Sequence, residues 1–249
     1  MCVNLATIYS GRGEKARAES ILRRVLKVDP NYLLARNNLA NLLSQRGEKA
    51  EAQELLDSAS KATPAQRMSP RAWTIRLNLA AMARARNDDE GALAIVDEAS
   101  RDYPGTWGVV RYKAELIRAM CGPEAALPIM EEFTRNHWWH CEAFIALGRL
   151  LWESGDAELA EKAFRHASWL DVHDAESLSS LAILKMQQNL FEAAFETQRR
   201  AVSRQPDEIR PRLLLSEILQ KMGRTAEARA AIARVSEMKA SADRSAALN

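Results

Sequence analysis

The chain has 249 residues, 47% of them hydrophobic and 27% charged, with 35 basic against 33 acidic residues and a formal net charge of +2. That near-balance argues against a general nucleic-acid binder, which needs a concentrated basic stripe. No apolar run approaches the ~18 residues of a membrane span, and ten Gly and eight Pro in a chain rich in Ala, Leu, Arg and Glu point to helix throughout.

Cys2, Cys121 and Cys141 form no CxxC pair and no even framework, which favours reduced thiols. The start, "MCVNLATIYSGRGEK", has no basic region ahead of its apolar part, so it does not read as a signal peptide. A cytoplasmic location is the expectation.

Taken in chain order, the elements repeat. Ala stands at Ala18, Ala52, Ala92, Ala126, Ala160, Ala194 and Ala228, in steps of 34, 40, 34, 34, 34 and 34. A second small position runs in register with it, at Ala6, Ala40, Ala80, Ala114, Gly148, Ala182 and Ser216, and Leu precedes it in every copy but one, where Lys113 stands. Two antiparallel helices joined by a short turn touch backbone to backbone only where side chains are small. The pattern therefore predicts helix–turn–helix units at about 1–32, 33–66, 67–106, 107–140, 141–174, 175–208 and 209–238, one array over 1–238. Gly13, Gly47, Gly155 and Gly223 fall at the turns, with Asn87 and Asn189 as left-handed substitutes, and Pro30, Pro64, Pro104 and Pro206 mark the entrances to following repeats.

Departures from the period are local. The 40-residue step comes from "AQRMSPRA" at 65–72, where Ser69–Pro70 suits an early helix start and a short, neutral surface loop. In the fourth unit, Lys113 replaces a core Leu with its stem along the surface, and Pro128 removes a backbone donor inside the second helix, which predicts a weak hairpin. "NHWWHC" carries zinc-type donors in His137, His140 and Cys141, but no fourth ligand is apparent, so a packed aromatic turn is the favoured reading and no metal is assigned. Residues 239–249 are small and polar and are expected to form a flexible tail. The chain starts inside a first helix, which suits a piece of a longer protein, or a dimer that covers the ends.

Phe144-x2-Leu147-Gly148-x2-Leu151 followed by Ala160-x3-Phe164 resembles the tetratricopeptide repeat (TPR) pattern, with Phe for its Trp, Leu for its Tyr and Val172 for its Pro. Similar copies cover nearly the whole chain. The resemblance implies an all-α fold, a right-handed alpha-alpha superhelix of antiparallel helix hairpins whose first helices line a concave groove. Placed on those helices, Asn4, Asn38 and Asn78 each precede the core Leu, with Asn37 and Asn41 beside them. This resembles the asparagine ladder of the O-linked N-acetylglucosamine transferase superhelix, where amides meet an extended peptide backbone. Tyr112, Ala146, Ser180 and Leu214 break the ladder, and Asn is also the family's consensus there, so retention without a ligand is the competing reading.

Further along, the groove is expected to carry Arg84, Arg111, Tyr112, Arg118, Arg149 and Trp152, which suit an acidic or carboxylate-bearing segment. Glu115, Glu142 and Glu153 intermix, which leaves a solvated charged face as the alternative. No three consecutive repeats supply the Lys, Asn and Arg set of the family's chaperone-tail clamp. Cys2 and Cys121 have no His on the same helical face, no Ser stands in a G-x-S-x-G elbow, and no Gly-rich phosphate loop appears. No catalytic residue and no cofactor are expected. The function read from sequence is a protein-interaction scaffold that holds a peptide or helix, without nucleic acid and without membrane insertion. The alternatives are the regulatory or targeting portion of a larger enzyme or membrane protein, such as a glycosyltransferase or polysaccharide-assembly protein, and self-association through uncapped ends.

Overall fold

The small-residue period sets where helices can touch, and the helices follow it. A computed structural model describes the backbone of residues 2–60 and 72–247 and the side chains of 2–57 and 72–241. Among the described residues there are fourteen helices and no strand. The chain divides into two compact units, residues 1–120 and 121–249. The division falls inside the fourth repeat, beside its turn.

Unit 1 holds α1 (Cys2–Gly11), α2 (Lys15–Val28), α3 (Leu33–Arg46), α4 (Lys49–Ser60), α5 (Trp73–Arg84), α6 (Asp89–Asp102) and nearly all of α7 (Trp107–Cys121). Helices α1, α3 and α5 each pack on the helix that follows, and α3 touches both α1 and α5. The core is built from Leu22, Leu39, Leu43 and Leu56 around Ala6, Ala18, Ala40 and Ala52, and from Val96, Val109 and Leu116 around Ala80 and Ala92.

Unit 2 holds α8 (Pro123–Asn136), α9 (Cys141–Glu153), α10 (Ala157–Leu170), α11 (Glu176–Gln187), α12 (Phe191–Arg204), α13 (Ile209–Lys221) and α14 (Thr225–Ala247). The pairs α9–α10, α11–α12 and α13–α14 are hairpins, and α11 touches both α9 and α13. At the second-helix small position Ala18, Ala52, Ala92, Ala126, Ala160 and Ala194 are fully buried, and Ala228 nearly so. Gly148 shows why the facing position is small. A Cβ built there would stand 2.7 Å from Phe164 Cε1, and Phe164 is itself fully buried.

Turn chemistry follows the sequence. Gly155 has φ +89°, and Asn87 and Asn189 take φ 62° and 60°, the left-handed conformation expected of them. Caps are added where a side chain suits: Asp88 accepts from Gly91 N at 2.8 Å, and Asp156 from Leu159 N at 3.0 Å. In the fourth repeat the turn shrinks to Gly122, whose φ of 92° and ψ of 168° suit only Gly, and Pro123 opens the next helix.

Lys113 does lay its stem against the helices, but its ammonium also has a partner, Asp97 on α6 at 2.9 Å. Pro128 lies inside α8 on the exposed side, where the lost backbone donor faces water. At the C-terminal end α14 continues through Ala247, past the point where a tail was expected to begin. The segment is rich in Ala, the strongest helix former, and holds no Gly or Pro to break it. The early start expected at Ser69–Pro70 and the marker Pro64 lie outside the described residues.

The close approach at Gly148 is directly testable. Gly148→Ala gains about 1 kcal/mol in helix propensity but loses about 1–3 kcal/mol to overpacking against a buried ring. We expect a lower melting temperature by circular dichroism, partly restored by adding Phe164→Leu. A Gly148→Ala chain that melts above the parent refutes the contact.

Candidate functional site

The first helices of unit 1 present a strip of polar side chains that bond across repeats. Asn38 Nδ2 on α3 reaches Thr7 Oγ1 on α1 at 3.4 Å. Asn78 Nδ2 on α5 donates to Asn37 Oδ1 on α3 at 2.6 Å. Arg84 at the end of α5 stands beside Tyr112 on α7, near enough for its charge to act on the phenol. Helix spacing explains the alignment. Equivalent positions on stacked helices face the same way, so side chains one repeat apart meet.

Position by position, the groove expected from sequence divides. Asn4, Arg84, Arg111 and Arg118 are exposed, and Asn38, Asn41, Asn78 and Tyr112 are half-buried. Asn37 is a correction: it is 5% exposed, its oxygen taken by Asn78, so it acts as an inter-repeat strut rather than a groove amide. One residue of helix is a 100° turn, which swings Asn37 from the face of Asn38 into the contact between α3 and α5. Arg149 and Trp152 belong to unit 2, where Arg149 pairs with Glu176 and Trp152 Nε1 donates to Gln187 Oε1 at 3.0 Å.

The electrostatics of the unit 1 strip are mild. Arg84 Nε lies 3.3 Å from Asp89, and Arg111 lies 3.4 Å from Glu115 one turn along its own helix. Exposed pairs of this kind are worth little and are screened by salt, so both guanidiniums remain open to exchange with an incoming carboxylate. Burial pushes the Tyr112 phenol above its usual range, while the positive charge of Arg84 pulls the other way. The hydroxyl therefore keeps its proton and remains a donor.

The "NHWWHC" segment packs as an aromatic turn. His137 stacks on Phe133 at 4.1 Å and donates from Nδ1 to the Phe133 carbonyl at 2.9 Å. His140 caps α9, its Nδ1 accepting from Ala143 N at 3.3 Å. Cys141 Sγ bonds the Ala167 carbonyl at 3.4 Å. Burial pushes its thiol up to about 11, helped by the carboxylates of Asp174 and Asp171. Donor atoms engaged in this way serve the backbone, and no cluster of three or more ligand-type residues occurs among the described residues.

Other polar roles were not read from sequence. Arg204 donates to the carbonyls of Ser168, Asp171 and Asp174, tying down the segment between α10 and α11. Arg36 and Arg212 each bond the carbonyl of the Pro six residues earlier, Pro30 and Pro206. The only available signal was the P-x5-R spacing shared by these two repeats.

Comparison with known proteins follows the same lines. Sequence profiles of the tetratricopeptide repeat match residues 9–69, 145–209 and 209–234. The human Protein O-mannosyl-transferase TMTC1 is 35% identical over 89 residues, 36% of this chain and 10% of that protein, so the chain spans about a tenth of that relative's length. Among solved structures the chain is similar to PilF of Pseudomonas aeruginosa, with a TM-score of 0.59 and 20% identity over 88% of this chain and 96% of that one. A tetratricopeptide repeat protein from Parabacteroides merdae gives 0.60 and 18% over 83% and 79%. MamA of Desulfovibrio magneticus gives 0.54 and 17% over 70% and 98%. At these identities the structural likeness is one of fold.

The strut role of Asn37 predicts a stability effect separate from any binding effect. Asn37→Ala strands the Asn78 amide and is expected to cost about 1–2 kcal/mol, whereas the exposed Asn4→Ala should stay within about 0.5 kcal/mol. Equal denaturation midpoints for the two variants exclude the strut.

Proposed function

Because the chain belongs to the tetratricopeptide-repeat family, we propose that it is a protein-interaction scaffold and that the first-helix strip of unit 1 holds an extended, acidic peptide segment. The observation that carries this reading is the continuity of the strip. Asn38 bonds Thr7 and Asn78 bonds the buried Asn37, each one repeat back, and Arg84 stands beside Tyr112 of the next repeat, so a partner lying along these first helices meets amides, a hydroxyl and guanidiniums in sequence. An amide has two donors and an acceptor oxygen, so the single bonds seen here leave capacity for a peptide backbone. Arg111 and Arg118 add charge at the α7 end, where a carboxylate side chain gains a bidentate partner.

No helix among the described residues is long and apolar enough to cross a membrane. The scaffold reading needs no catalytic group in this chain, since recognition by asparagine side-chain amides and salt-exchangeable Arg is sufficient for peptide capture.

A charge-reversed chain tests it. Affinity capture from the native lysate with the parent beside Arg111→Glu/Arg118→Glu should lose a defined set of proteins in the variant, and the captured set should thin as salt rises. An identical set from both chains rules out the strip as the binding face.

The TMTC1 match favours a second reading, in which these repeats are the recognition portion of a larger protein that transfers sugar. Antibody against this chain would then detect a native species well above the mass of 249 residues. A native band at that mass removes the second reading and leaves the first untouched.

A further inference from the structure

Large aromatic side chains are exposed together at one edge of unit 2. Trp138 and Trp139 are each 58% exposed, Trp169 is 70% and Val172 is 62%. Antiparallel helices α9 and α10 put the segment before α9 and the segment after α10 at the same end, opposite the turn at Gly155. Contacts bind the rings into one surface. His166 Nε2 donates to the Trp138 carbonyl at 3.0 Å, and its ring lies 6.0 Å from Trp169. Trp138 and Trp139 meet at 88° with centroids 5.8 Å apart, and Trp139 also leans on His137, which is stacked on Phe133. The rings are held by neighbours, so little further ordering is needed when a ligand covers them.

We propose that this edge docks a neutral, proline-rich segment of a partner protein in the extended polyproline conformation. Hydrogen-bond capacity points that way. No acceptor among the described residues takes the indole N–H of Trp138, Trp139 or Trp169. A polyproline strand has carbonyl acceptors without internal partners and apolar rings that lie on aromatic faces. Charge points the same way. The Asp171 and Asp174 carboxylates accept from the backbone N–H groups of His173, Glu176 and Ser177, and the Arg204 guanidinium is spent on carbonyls. The carboxylates keep their charge at the rim, which disfavours an anionic segment or an anionic lipid surface.

Area decides against a second copy of this chain. At these exposures the three indoles offer roughly 400 Å², from about 150–250 Å² for a whole aromatic side chain, short of the ~800 Å² per partner of a stable complex. A short peptide needs no more than the patch supplies.

Titration of the full chain with a polyproline peptide of about ten residues tests the proposal by calorimetry, with a glycine–serine peptide of equal length as reference. Saturable binding to polyproline alone is expected, weakened about tenfold in Trp138→Ala/Trp139→Ala and less in Trp169→Ala. All substituted residues are exposed, and far-ultraviolet circular dichroism checks that helix content is kept. The proposal is overturned by no saturable binding, by equal binding of the glycine–serine peptide, or by undiminished binding in the double variant. It is equally overturned if the tryptophans bind neutral phosphatidylcholine vesicles, or raise the mass of the chain with concentration, while polyproline does not bind.

Discussion

Two helices of one repeat approach so closely that only a hydrogen or a methyl group fits between them, and the remaining structure depends on that approach. The Ala series from Ala18 to Ala228 is buried to completion or nearly so on the second helices. Gly148 reaches the limit, with the Phe164 ring lying where its Cβ would be. Small residues at the crossing leave space on both sides, which Leu22, Leu56, Leu116, Met130 and Phe164 fill. Because interiors are packed to crystal-like density, a methylene added at the crossing has nowhere to go, while one removed from the flanks opens a cavity. The crossing also dictates the turns. Helices this close must reverse within about three residues, and that requires a left-handed residue, met by Gly or Asn.

Once the frame is set, the polar groups at its ends have to be satisfied, and this chain does so largely with Arg. Arg204 bonds one carbonyl in the last turn of α10 and two between α10 and α11, and Arg36 and Arg212 each reach back to a Pro carbonyl. Gln198, fully buried, donates to the Pro211 carbonyl at 2.7 Å and to Ser179. Carbonyls at helix ends lack intrahelical partners, and a planar guanidinium meets several of them at once. Arg36, Arg204 and Arg212 are therefore structural as well as charged.

The architecture was legible because it is written in spacing. The paired small positions predicted the helices, the hairpins and the left-handed Asn87 and Asn189, and all of these depend on contacts within one repeat. What escaped depends on contacts between repeats. Asn37 and Asn38 look equivalent in the sequence, yet one is a buried strut and the other half-exposed, since a single residue of helix phase separates them. Trp152 meets Gln187 from 35 residues away, and Lys113 finds Asp97 rather than water alone. The fourth turn also escaped, because its Gly is displaced by one position from the period and the turn closes through Gly122.

Variation around a fixed frame is where partner choice can reside, and the two units vary in opposite ways. In unit 1 the first helices carry amides that bond across repeats and guanidiniums in exposed, weakly held pairs, the surface for which peptide binding is proposed. In unit 2 the corresponding helix face is largely self-satisfied, with Arg149 on Glu176 and Trp152 on Gln187, and its exposed chemistry has moved to the loop edge as indole rings. Neither set of residues is required by the helix crossings, since Leu147, Ala160 and Phe164 hold their hairpin whatever stands at Trp138 or Trp169. The bonded clusters outside the packing constraint are the residues on which the two proposed binding roles rest, although the Asn37–Asn78 bond also serves the fold.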